Sequence, residues 1–383
     1  MVQKFIRPKV LFVANLDTFL YKLRLSFANK LREKNIEVMA VCPPGKDIKK
    51  IQKKGYQVIL WNLKRESLNP IQEFKSILEL VKIYKKEQPL AVHHFTTKPN
   101  VYGPIAARLA RIPYIINTWT GLGFLFSNEK KAKIVQKVVF HLMKMLKKNI
   151  FAIFLNKHDL NFFMKHNLVE KSKATIIYEG VNTKKFHPFL RAKRKNKKLN
   201  VLFAARLIKE KGIEEFVEAA KLLKKEKINA NFLIAGNIDP GNPNSISLKQ
   251  LKEWEKEGAV KWIGDYPYER MPFLLNKVSV VVLPTYYLEG TPRILLEAAA
   301  CGLPLIATNI EANKAIIKNG VNGYLIPPKD PIKLSKAIKK LLKNEKLRIK
   351  MGKNSRKIVI KKFDEELIVQ KYISFYKKIG IIK

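Results

Sequence analysis

Two glutamates eight positions apart, Glu289 and Glu297, bound the first half of the segment EGTPRILLEAAACGLP. The preceding run VSVVVLP (278–284) is short, apolar and β-branched, which predicts a buried strand. Thr291 suits a helix N-cap and Pro292 suits the first helical position, where its missing N–H costs nothing. The pattern therefore predicts a strand, a turn and a helix. Because a helix N-terminus at the carboxyl end of a parallel strand favours anions, we expect an anionic ligand beside these glutamates.

A second group of candidate residues lies in ARLIKEKG, where Arg206 and Lys211 follow an apolar strand-like run and precede the helical pattern GIEEFVEAAKLL. Two cations near a helix start can hold a pyrophosphate and stabilise it as a leaving group. In so lysine-rich a chain, solvated surface cations are an equally good interpretation when this motif is taken alone. Glu297 could accept both hydroxyls of a ribose, although by itself it is more simply an ordinary helical glutamate.

Several common catalytic and cofactor signatures do not occur in the sequence. No two aspartates are two positions apart, which argues against a carboxylate-held metal ion carrying a diphosphate. The sequence contains no G-x-S-x-G, Walker or H-E-x-x-H motif. Glycines are missing after the first predicted strand (VANLDTFLYKLR), which argues against a dinucleotide fingerprint. We therefore predict neither a metal site nor a bound cofactor, and expect protein cations and helix dipoles to hold the anion.

Composition restricts the class of protein. The 383 residues suffice for two domains, and 47% are hydrophobic, as in a globular chain. Cys42 and Cys301 exclude a disulfide framework and fit a reduced, cytosolic compartment. The N-terminus predicts a strand rather than a signal peptide, and no run approaches the ~18 apolar residues of a membrane span. The formal charge of +44 is spread over both halves, which favours a lysine-rich surface over an anionic-membrane or nucleic-acid site.

Apolar β-rich segments alternate with helical ones along the chain, which predicts parallel, doubly wound sheets in an α/β protein. The predicted strands are 9–14, 36–42, 56–61, 90–95, 114–119, 151–156, 174–180, 201–205, 230–236, 259–264, 278–284, 303–308 and 323–327. A helix is predicted over 67–87 with Ser67 as its cap. We predict two Rossmann-like domains facing a cleft: residues 1–186, a basic linker over 187–200, and residues 201–383 with terminal helices.

The spacing from Glu289 to Glu297 resembles the E-x7-E motif of retaining glycosyltransferases of family 4, which have the GT-B fold. Further segments occur in the order of that family: ARLIKEKG, IAGNIDPGNPNS, KWIGDY, LPTYYLEGTPRILLEAAACGLP and NGVNGYLIPPKD. The resemblance implies a metal-independent transfer of a hexose-type sugar from a nucleotide-sugar, with the diphosphate as the anion. It also implies roles for the donor-side residues: Arg206 and Lys211 at the diphosphate, the Gly290 and Thr291 amides with Pro292 beside them, Glu297 at the ribose, Glu289 at the donor sugar, and the backbone near Trp262 and Ile263 at the base.

The N-terminal half carries a finer resemblance, in RESLNP, TTKPNVYGPIAARLARIPYIINTWTGLGFLF and the NP of PGNPNS. These segments are similar to the subgroup that builds capsule, O-antigen and lipid-linked glycans, including the N-acetylgalactosaminyltransferase of the bacterial N-glycan pathway. The subgroup implies a UDP-sugar donor and an undecaprenyl-diphosphate-linked acceptor. It implies that the acceptor meets Thr120, Gly121 and Gly123 of the TGLG turn and Lys98, with Arg24 as a candidate for the acceptor phosphate.

The chain departs from the family at two points. Many members have a histidine where this chain has Trp119 and Thr120, and the nearby His93 and His94 are either core or cleft residues. The loop TNIEANKAI also differs from the usual acidic, glycine-bearing loop. Two alternatives stay open: a GT-B relative such as a nucleotide-sugar 2-epimerase or a sugar phosphorylase, and a nucleic-acid binder, which only the charge supports.

The segment EKKAKIVQKVVFHLMKMLKK (129–148) predicts a basic amphipathic helix. At helical spacing one face carries Val135, Val138, Leu142 and Leu146, and another carries Lys133, Lys137, Lys144 and Lys148. A helix packed on the N-terminal sheet with a solvated lysine face is one interpretation, and contact with anionic headgroups is compatible with it. We therefore predict a cytoplasmic protein that binds the inner face of the cell membrane peripherally, and does not bind nucleic acid.

Overall fold

The computed structural model describes residues 7–64, 67, 69–121, 130–189, 198–287 and 289–382, and for residues 130–132 and 134 it describes the backbone only. Gly123 and residues 190–197 of the predicted linker therefore lie outside the described residues. The chain forms two compact units. Unit 1 comprises Met1–Tyr178, Leu288–Gly290 and Ile368–Lys383, and unit 2 comprises Glu179–Tyr287 and Thr291–Leu367.

Unit 1 is built on a sheet of seven parallel strands in the order β3-β2-β1-β4-β5-β6-β7. The strands are β1 Lys9–Val13, β2 Glu37–Cys42, β3 Gln57–Leu60, β4 Ala91–Phe95, β5 Tyr114–Trp119, β6 Ile150–Phe154 and β7 Ala174–Ile176. Each one falls within a segment that the sequence predicts to be a strand or differs from it by a residue. The central strands are buried on both faces, as the continuous apolar runs indicate.

Helices cover both faces of this sheet. They are α1 Asp17–Leu23, α2 Leu25–Arg32, α3 Ile48–Lys53, α4 Pro70–Glu87, α5 Thr97–Leu109, α6 Lys130–Leu146 and α7 Lys157–Lys165. Alternate residues of β1 point to opposite faces: Phe12 joins a core with α1, α2 and α3, whereas Leu11 joins a core with α4 and α5. A third cluster packs α5, α6 and α7 on β5 and β6.

The last helix of the chain, α15 (Glu365–Lys378), contributes to the core of unit 1. Tyr372 and Tyr376 are buried against Phe27, and the Tyr376 hydroxyl lies 2.9 Å from Nδ1 of His93. The predicted division placed 1–186 in the N-terminal domain and 201–383 in the C-terminal domain, and the compact units differ from it over 179–186, 288–290 and 368–383. Over 368–383 the reason is that the apolar stripe of α15 is buried on the first sheet, a pairing that local sequence pattern does not encode.

Unit 2 is built on a sheet of six parallel strands in the order β10-β9-β8-β11-β12-β13. The strands are β8 Leu199–Ala204, β9 Ala230–Ala235, β10 Lys261–Trp262, β11 Val280–Leu283, β12 Leu305–Thr308 and β13 Gly323–Ile326. The helices are α8 Ile213–Lys225, α9 Leu248–Lys256, α10 Met271–Leu275, α11 Arg293–Ala300, α12 Glu311–Lys314, α13 Pro331–Lys343 and α14 Glu345–Phe363. Two parallel α/β sheets confirm the predicted fold class.

Two predicted helix starts are wrong by one or two residues. Asn69, not Ser67, caps α4, because the Asn69 side chain accepts hydrogen bonds from the amides of Ile71 and Gln72 while Pro70 takes the first helical position. In α11 the N-cap is Pro292, one residue after the predicted Thr291, and no side chain caps the helix.

The predicted apolar face of α6 also needs a correction. Val135, Leu142 and Leu146 are half-buried, but Val138 is 59% exposed. Val139 and Met143 take the inward positions and pack in the cluster with α5 and α7. The inward face is therefore rotated slightly from the predicted one. No helix in the described part of the chain is long and apolar enough to cross a membrane.

Candidate active site

The loop that joins β8 to α8 carries two of the predicted site residues, Arg206 and Lys211. A single 3₁₀ turn, Lys209–Lys211, leads into Gly212, whose φ of +79° starts α8. A Cβ at Gly212 would lie 2.2 Å from the carbonyl oxygen of Pro284, just after β11. Glycine at this position therefore lets the loop approach the carboxyl end of the neighbouring strand.

The same loop is hydrogen-bonded to the segment that follows β11. The carbonyl oxygen of Glu210 accepts from the hydroxyl of Thr285 at 3.0 Å, from the amide of Tyr286 at 2.8 Å and from the amide of Tyr287 at 3.1 Å. These bonds fix the two strand ends relative to each other within unit 2. Lys211 itself is only 8% exposed, so its ammonium is held in the protein rather than solvated at the surface.

Tyr287 brings the two predicted cations together. Its ring centroid lies 5.8 Å from the Arg206 guanidinium carbon and 5.1 Å from the Lys211 ammonium nitrogen. Both distances are within the range of cation–π attraction. The structure therefore groups Arg206 and Lys211 around one aromatic ring at the carboxyl end of the sheet.

Asp239 orients Arg206. The guanidinium donates to the Asp239 carboxylate at 2.8 Å, and the Asp239 amide is held by the hydroxyl of Ser245 at 2.9 Å. Burial by itself lowers the pKa of Arg206, but Tyr287 and Asp239 outweigh it and the pKa is raised. Arg206 is thus charged throughout the accessible pH range, with its direction set by Asp239, the residue just before the loop PGNPNS.

Helix α11 holds Glu297 in a buried position, 5% exposed. Nε and Nη2 of Arg293 both donate to Oε1 of Glu297, at 3.3 and 3.1 Å, and Nη2 also donates to the Tyr268 hydroxyl at 3.0 Å. Burial lowers the pKa of Arg293, but Glu297 and Tyr268 outweigh it and the pKa is raised. Arg293 is not among the residues predicted from the sequence, although its position four residues before Glu297 on one helix is the spacing of an ion pair.

The predicted base-binding segment lies at the edge of the second sheet. The Ile263 amide donates to the Ile234 carbonyl at 2.9 Å, which continues the pairing of β10 with β9. The indole of Trp262 donates to the carbonyl of Gly236 at 3.1 Å. Gly236 has a φ of +146°, and a Cβ there would lie 1.8 Å from the Ala205 carbonyl oxygen. The Trp262 ring therefore packs on the turn that carries PGNPNS.

In unit 1, Glu289 and Gly290 lie against the end of β5. The Gly290 amide donates to the Thr120 carbonyl at 3.0 Å, and the Gly290 carbonyl accepts from the Asn156 side chain at 3.1 Å. A Cβ at Gly290 would lie 2.7 Å from the Thr120 carbonyl oxygen, so this contact requires glycine. Thr120 and Gly121 are half-buried beside it. The Gly290 amide, predicted to face the diphosphate, is thus bonded to Thr120 in this structure.

Arg24, the candidate for the acceptor phosphate, is a buried residue. It is 3% exposed, its guanidinium lies 4.8 Å from the ring centroids of both Phe19 and Phe95, and it donates to the Leu23 carbonyl at 2.9 Å. Its surroundings are aromatic side chains on the α1, α2 and α15 side of the sheet.

Lys98, the second predicted acceptor residue, lies on α5 against the opposite face of the sheet. Its ammonium donates to the Glu73 carboxylate at 2.9 Å and to the carbonyls of Lys64 and Ser67 at 2.7 Å. Three donors to four acceptor atoms leave this ammonium fully engaged in tying the segment before α4 to α5. The structure does not bring Lys98 and Arg24 together.

His93 and His94 are core residues, which settles the alternative left open by the sequence. Both are fully buried on β4 and point to opposite faces of the sheet. Nε2 of His93 lies 2.7 Å from the Thr118 hydroxyl, and Nδ1 of His94 lies 2.8 Å from the Asn117 amide oxygen. Burial lowers the pKa of His94 to about 4 and holds that of His93 well below 6.5. Both imidazoles are therefore neutral at pH 7.

No group of three or more His, Cys, Asp or Glu side chains among the described residues is arranged to hold a metal ion. The expectation of a metal-independent site stays a prediction.

Both halves of the chain match known glycosyltransferase families. Residues 186–358 match the family described as "Glycosyl transferases group 1", and residues 9–157 match the family described as "Glycosyl transferase 4-like". The chain is 31% identical over 382 residues to N,N'-diacetylbacillosaminyl-diphospho-undecaprenol alpha-1,3-N-acetylgalactosaminyltransferase of Campylobacter jejuni, a match that covers 96% of this chain and 98% of that protein. The chain belongs to family 4 of the glycosyltransferases, as the sequence motifs predicted.

A second relative and a solved structure are also similar to this chain. UDP-Gal:alpha-D-GlcNAc-diphosphoundecaprenol alpha-1,3-galactosyltransferase of Escherichia coli is 29% identical, with 81% of each chain covered. The crystal structure of Anabaena HepE in complex with UDP-glucose has a TM-score of 0.76 at 18% identity, covering 97% of this chain and 99% of that one. The structural likeness shows the GT-B fold, and family membership makes the chain an enzyme that transfers glycosyl groups.

Proposed function

We propose that this enzyme is a retaining, metal-independent glycosyltransferase that moves an N-acetylhexosamine or related hexose from a UDP-sugar to an undecaprenyl-diphosphate-linked acceptor. Such a transfer extends a glycan in surface polysaccharide or glycan assembly. The observation that carries the proposal is the pair of cations, Arg206 and Lys211, gathered around Tyr287 at the carboxyl end of the second sheet. A diphosphate leaving group needs such fixed positive charge as the glycosidic bond breaks. The two curated relatives described above, whose names specify undecaprenol-diphosphate acceptors, support the acceptor class.

The proposed roles are those that the resemblance to family 4 implies, and the contacts within each unit support those of Arg206, Lys211 and Glu297. In unit 2, Arg206 and Lys211 take the diphosphate, Glu297 takes the ribose hydroxyls with Arg293 fixing its carboxylate, and the backbone at Ile263 meets the base. Asp239 fixes the direction of the Arg206 guanidinium through a hydrogen bond of 2.8 Å. In unit 1, Glu289 contacts the donor sugar. The acceptor hydroxyl attacks from the face that the diphosphate leaves, and its proton passes to the departing phosphate oxygen.

A screen of nucleotide-sugars by thermal unfolding tests the donor. We expect one UDP-sugar to raise the unfolding temperature more than UDP alone and more than the GDP-sugars. Mass spectrometry of a reaction with that donor and an undecaprenyl-diphosphate-linked saccharide should show a glycan longer by one residue. Conversion of the UDP-sugar to an isomer without any acceptor would instead identify an epimerase, and would contradict the proposal.

Substitution of Glu289 by glutamine is expected to lower turnover roughly a hundredfold while leaving the affinity for UDP nearly unchanged, because the lost carboxylate acts on the sugar and not on the nucleotide. Initial rates at saturating donor and UDP titration measure the two effects separately. Glu253→Gln, at an exposed position on α9, is the matched control and should retain wild-type turnover. Unchanged turnover of the Glu289 variant would remove Glu289 from the mechanism.

The proposal includes peripheral association with the inner face of the cell membrane, where an undecaprenyl-linked acceptor resides. The outer face of α6 supports it, since Lys133, Lys137 and Lys144 are exposed there, and Lys148 is exposed in the 3₁₀ turn that follows the helix. Val138 and Met145, 59% and 63% exposed, lie one heptad apart at the edge of this lysine face. Basic side chains beside apolar ones suit an anionic lipid surface.

Replacement of Lys133, Lys137 and Lys144 together by glutamate should weaken binding to anionic vesicles about a hundredfold, since each lysine near such a surface contributes on the order of 1 kcal/mol. Vesicle sedimentation measures the partition, and wild-type binding should fall as salt is added. The control is the exposed unit 2 triple variant Lys249/Lys252/Lys256→Glu, which has the same net charge. Equal partition of wild type and the α6 variant would remove α6 from membrane binding.

A further inference from the structure

Helix α4 exposes a stripe of large apolar side chains. Ile71 is 69% exposed, Phe74 is 61% exposed and Leu78 is 42% exposed. Their spacing of three and then four residues places them on one side of the helix, over its first two turns. We name these three residues the α4 apolar stripe. Single exposed apolar residues are ordinary, but three adjacent ones on one helix face indicate a surface that another apolar phase covers.

The charges of α4 are sorted between its two sides. Its three carboxylates are bonded within unit 1: Glu73 to Lys98 and Tyr102, Glu79 to the Asn62 amide, and Glu87 to Lys9. The exposed charged residues of the helix are Lys75, Lys82, Lys85 and Lys86. The outer face of α4 therefore presents apolar and cationic side chains, and its carboxylates are engaged elsewhere. That combination complements an anionic lipid surface, which offers negative headgroups above hydrocarbon.

The packing of unit 1 places this face beside that of α6. Helix α4 packs against α5, and α5 packs against α6, on the same side of the seven-stranded sheet. The sides of α4 and α6 that face away from the sheet thus belong to one outer surface. The last turn of α5, toward the opposite edge of the sheet from the α4 apolar stripe, exposes a further apolar side chain, Leu109, which is 58% exposed, together with Arg108 and Arg111.

We propose that the α4 apolar stripe inserts into an anionic bilayer at the boundary between headgroups and acyl chains, while Lys75 and Lys82 contact lipid phosphates. The proposal rests on the proposed function, because a lipid-linked acceptor is what brings this enzyme to a membrane. It separates two contributions: α6 supplies charge, which salt screens, and α4 supplies apolar contact, which salt does not screen. Vesicle binding requires neither donor nor acceptor, so its outcome is independent of whether the predicted sugar transfer is found.

The first test compares wild type with Ile71→Ser/Phe74→Ser/Leu78→Ser on vesicles of phosphatidylcholine with and without phosphatidylglycerol. We expect the variant to lose about a hundredfold in partition onto the anionic vesicles, and to lose the binding that persists in wild type at high salt. The α6 lysine variant should show the converse pattern, with the salt-resistant part retained. Because the stripe is exposed, the unfolding temperature of the serine variant should match wild type, which excludes misfolding as the cause.

The second test reports insertion directly. In Phe74→Trp, fluorescence should shift to shorter wavelength on anionic vesicles and be quenched by brominated acyl chains. The matched control is Phe273→Trp on α10, where the original side chain is 56% exposed. The four native tryptophans are common to both variants and cancel in the comparison.

Three outcomes would overturn the proposal. One is unchanged vesicle binding of the serine variant, and another is equal quenching of the two tryptophan variants. The third is a wild-type dimer in solution that the serine variant dissociates without any change in vesicle binding, since the stripe would then be covered by a second copy of the chain.

Discussion

Arg206→Gln is expected to lower kcat/KM for the UDP-sugar roughly a thousandfold, equivalent to about 4 kcal/mol of transition-state stabilisation. The substitution removes a fixed positive charge from the proposed diphosphate site. It also leaves the Asp239 carboxylate, 2.8 Å from the guanidinium and with a 15% exposed side chain, without the cation that neutralises it. A carboxylate facing a diphosphate repels it, so the loss exceeds that of one hydrogen bond. Initial rates with the UDP-sugar found in the donor screen measure the effect.

A second substitution at Asp239 tests this cause. Arg206→Gln/Asp239→Asn should recover about tenfold of the lost kcat/KM, because the repulsive charge is gone while the missing cation is not restored. Asp239→Asn alone should reduce activity modestly by leaving Arg206 less well oriented. If the double variant is no more active than Arg206→Gln, repulsion by Asp239 does not contribute.

Lys211 and Lys209 form a matched pair on one 3₁₀ turn. Lys211 is 8% exposed and lies at the Tyr287 ring, whereas the Lys209 side chain is 51% exposed and lies 3.8 Å from Glu214. We expect Lys211→Gln to lower kcat/KM about a hundredfold and Lys209→Gln to leave it near the wild-type value. Similar losses in both variants would mean that the loop responds to total charge rather than to the placement of Lys211.

Local patterns sufficed to predict the strands and the loops at their ends. Buried parallel strands need continuous apolar β-branched runs, and each such run can be recognised in the sequence without knowledge of the others. The loop with Arg206 and Lys211 was found in the same way, because its glycine and cations are adjacent in sequence. The start of α4 could also have been predicted correctly, since Asn69 followed by Pro70 is a stronger signal for a helix N-terminus than Ser67.

Partners distant in sequence could not be predicted. The resemblance to the subgroup implied that Arg24 meets the acceptor phosphate, and only the packing of Phe95 and α15 shows that it lies among aromatic rings. Lys98 is paired with Glu73, 25 residues away. Helix α15 could be buried on either of the two sheets, and its packing on the first sheet depends on residues that are distant in sequence. A helix pattern fixes which face is buried but not what covers it.

Acidification is expected to destabilise unit 1 as the pH falls from about 6.5 to about 4, through His93 and His94. Burial depresses both pKa values below the unfolded one, so the neutral imidazoles stabilise the folded state above pH 6.5. That stabilisation is lost as the pH falls toward the folded-state value, because the unfolded chain then binds protons that the folded chain does not. For His94, with a pKa of about 4, the loss across this range is about 3 kcal/mol. Denaturant unfolding at a series of pH values measures it.

The groups around each imidazole explain why protonation is resisted. Nε2 of His94 lies 2.8 Å from the Tyr84 hydroxyl on α4, and no carboxylate is among its hydrogen-bond partners in the described structure. A neutral imidazole can donate from Nδ1 to Asn117 and accept from Tyr84, whereas the cation has two donors and no acceptor. His93 faces the positive charge of Arg24, which adds to the effect of burial.

Removing a titrating imidazole should make the free energy of unfolding less dependent on pH, even if the substitution also lowers that free energy at neutral pH. His94→Gln is expected to unfold more easily than wild type at pH 7, since it disturbs the bonds to Tyr84 and Asn117, yet to lose less stability between pH 6.5 and 4. The change in the free energy of unfolding between pH 6.5 and 4 therefore tests the role of His94, whereas the free energy of unfolding at pH 7 does not. If His94→Gln keeps the wild-type change over this pH range, the acid sensitivity of the protein arises from its carboxylates and not from the buried imidazoles of β4.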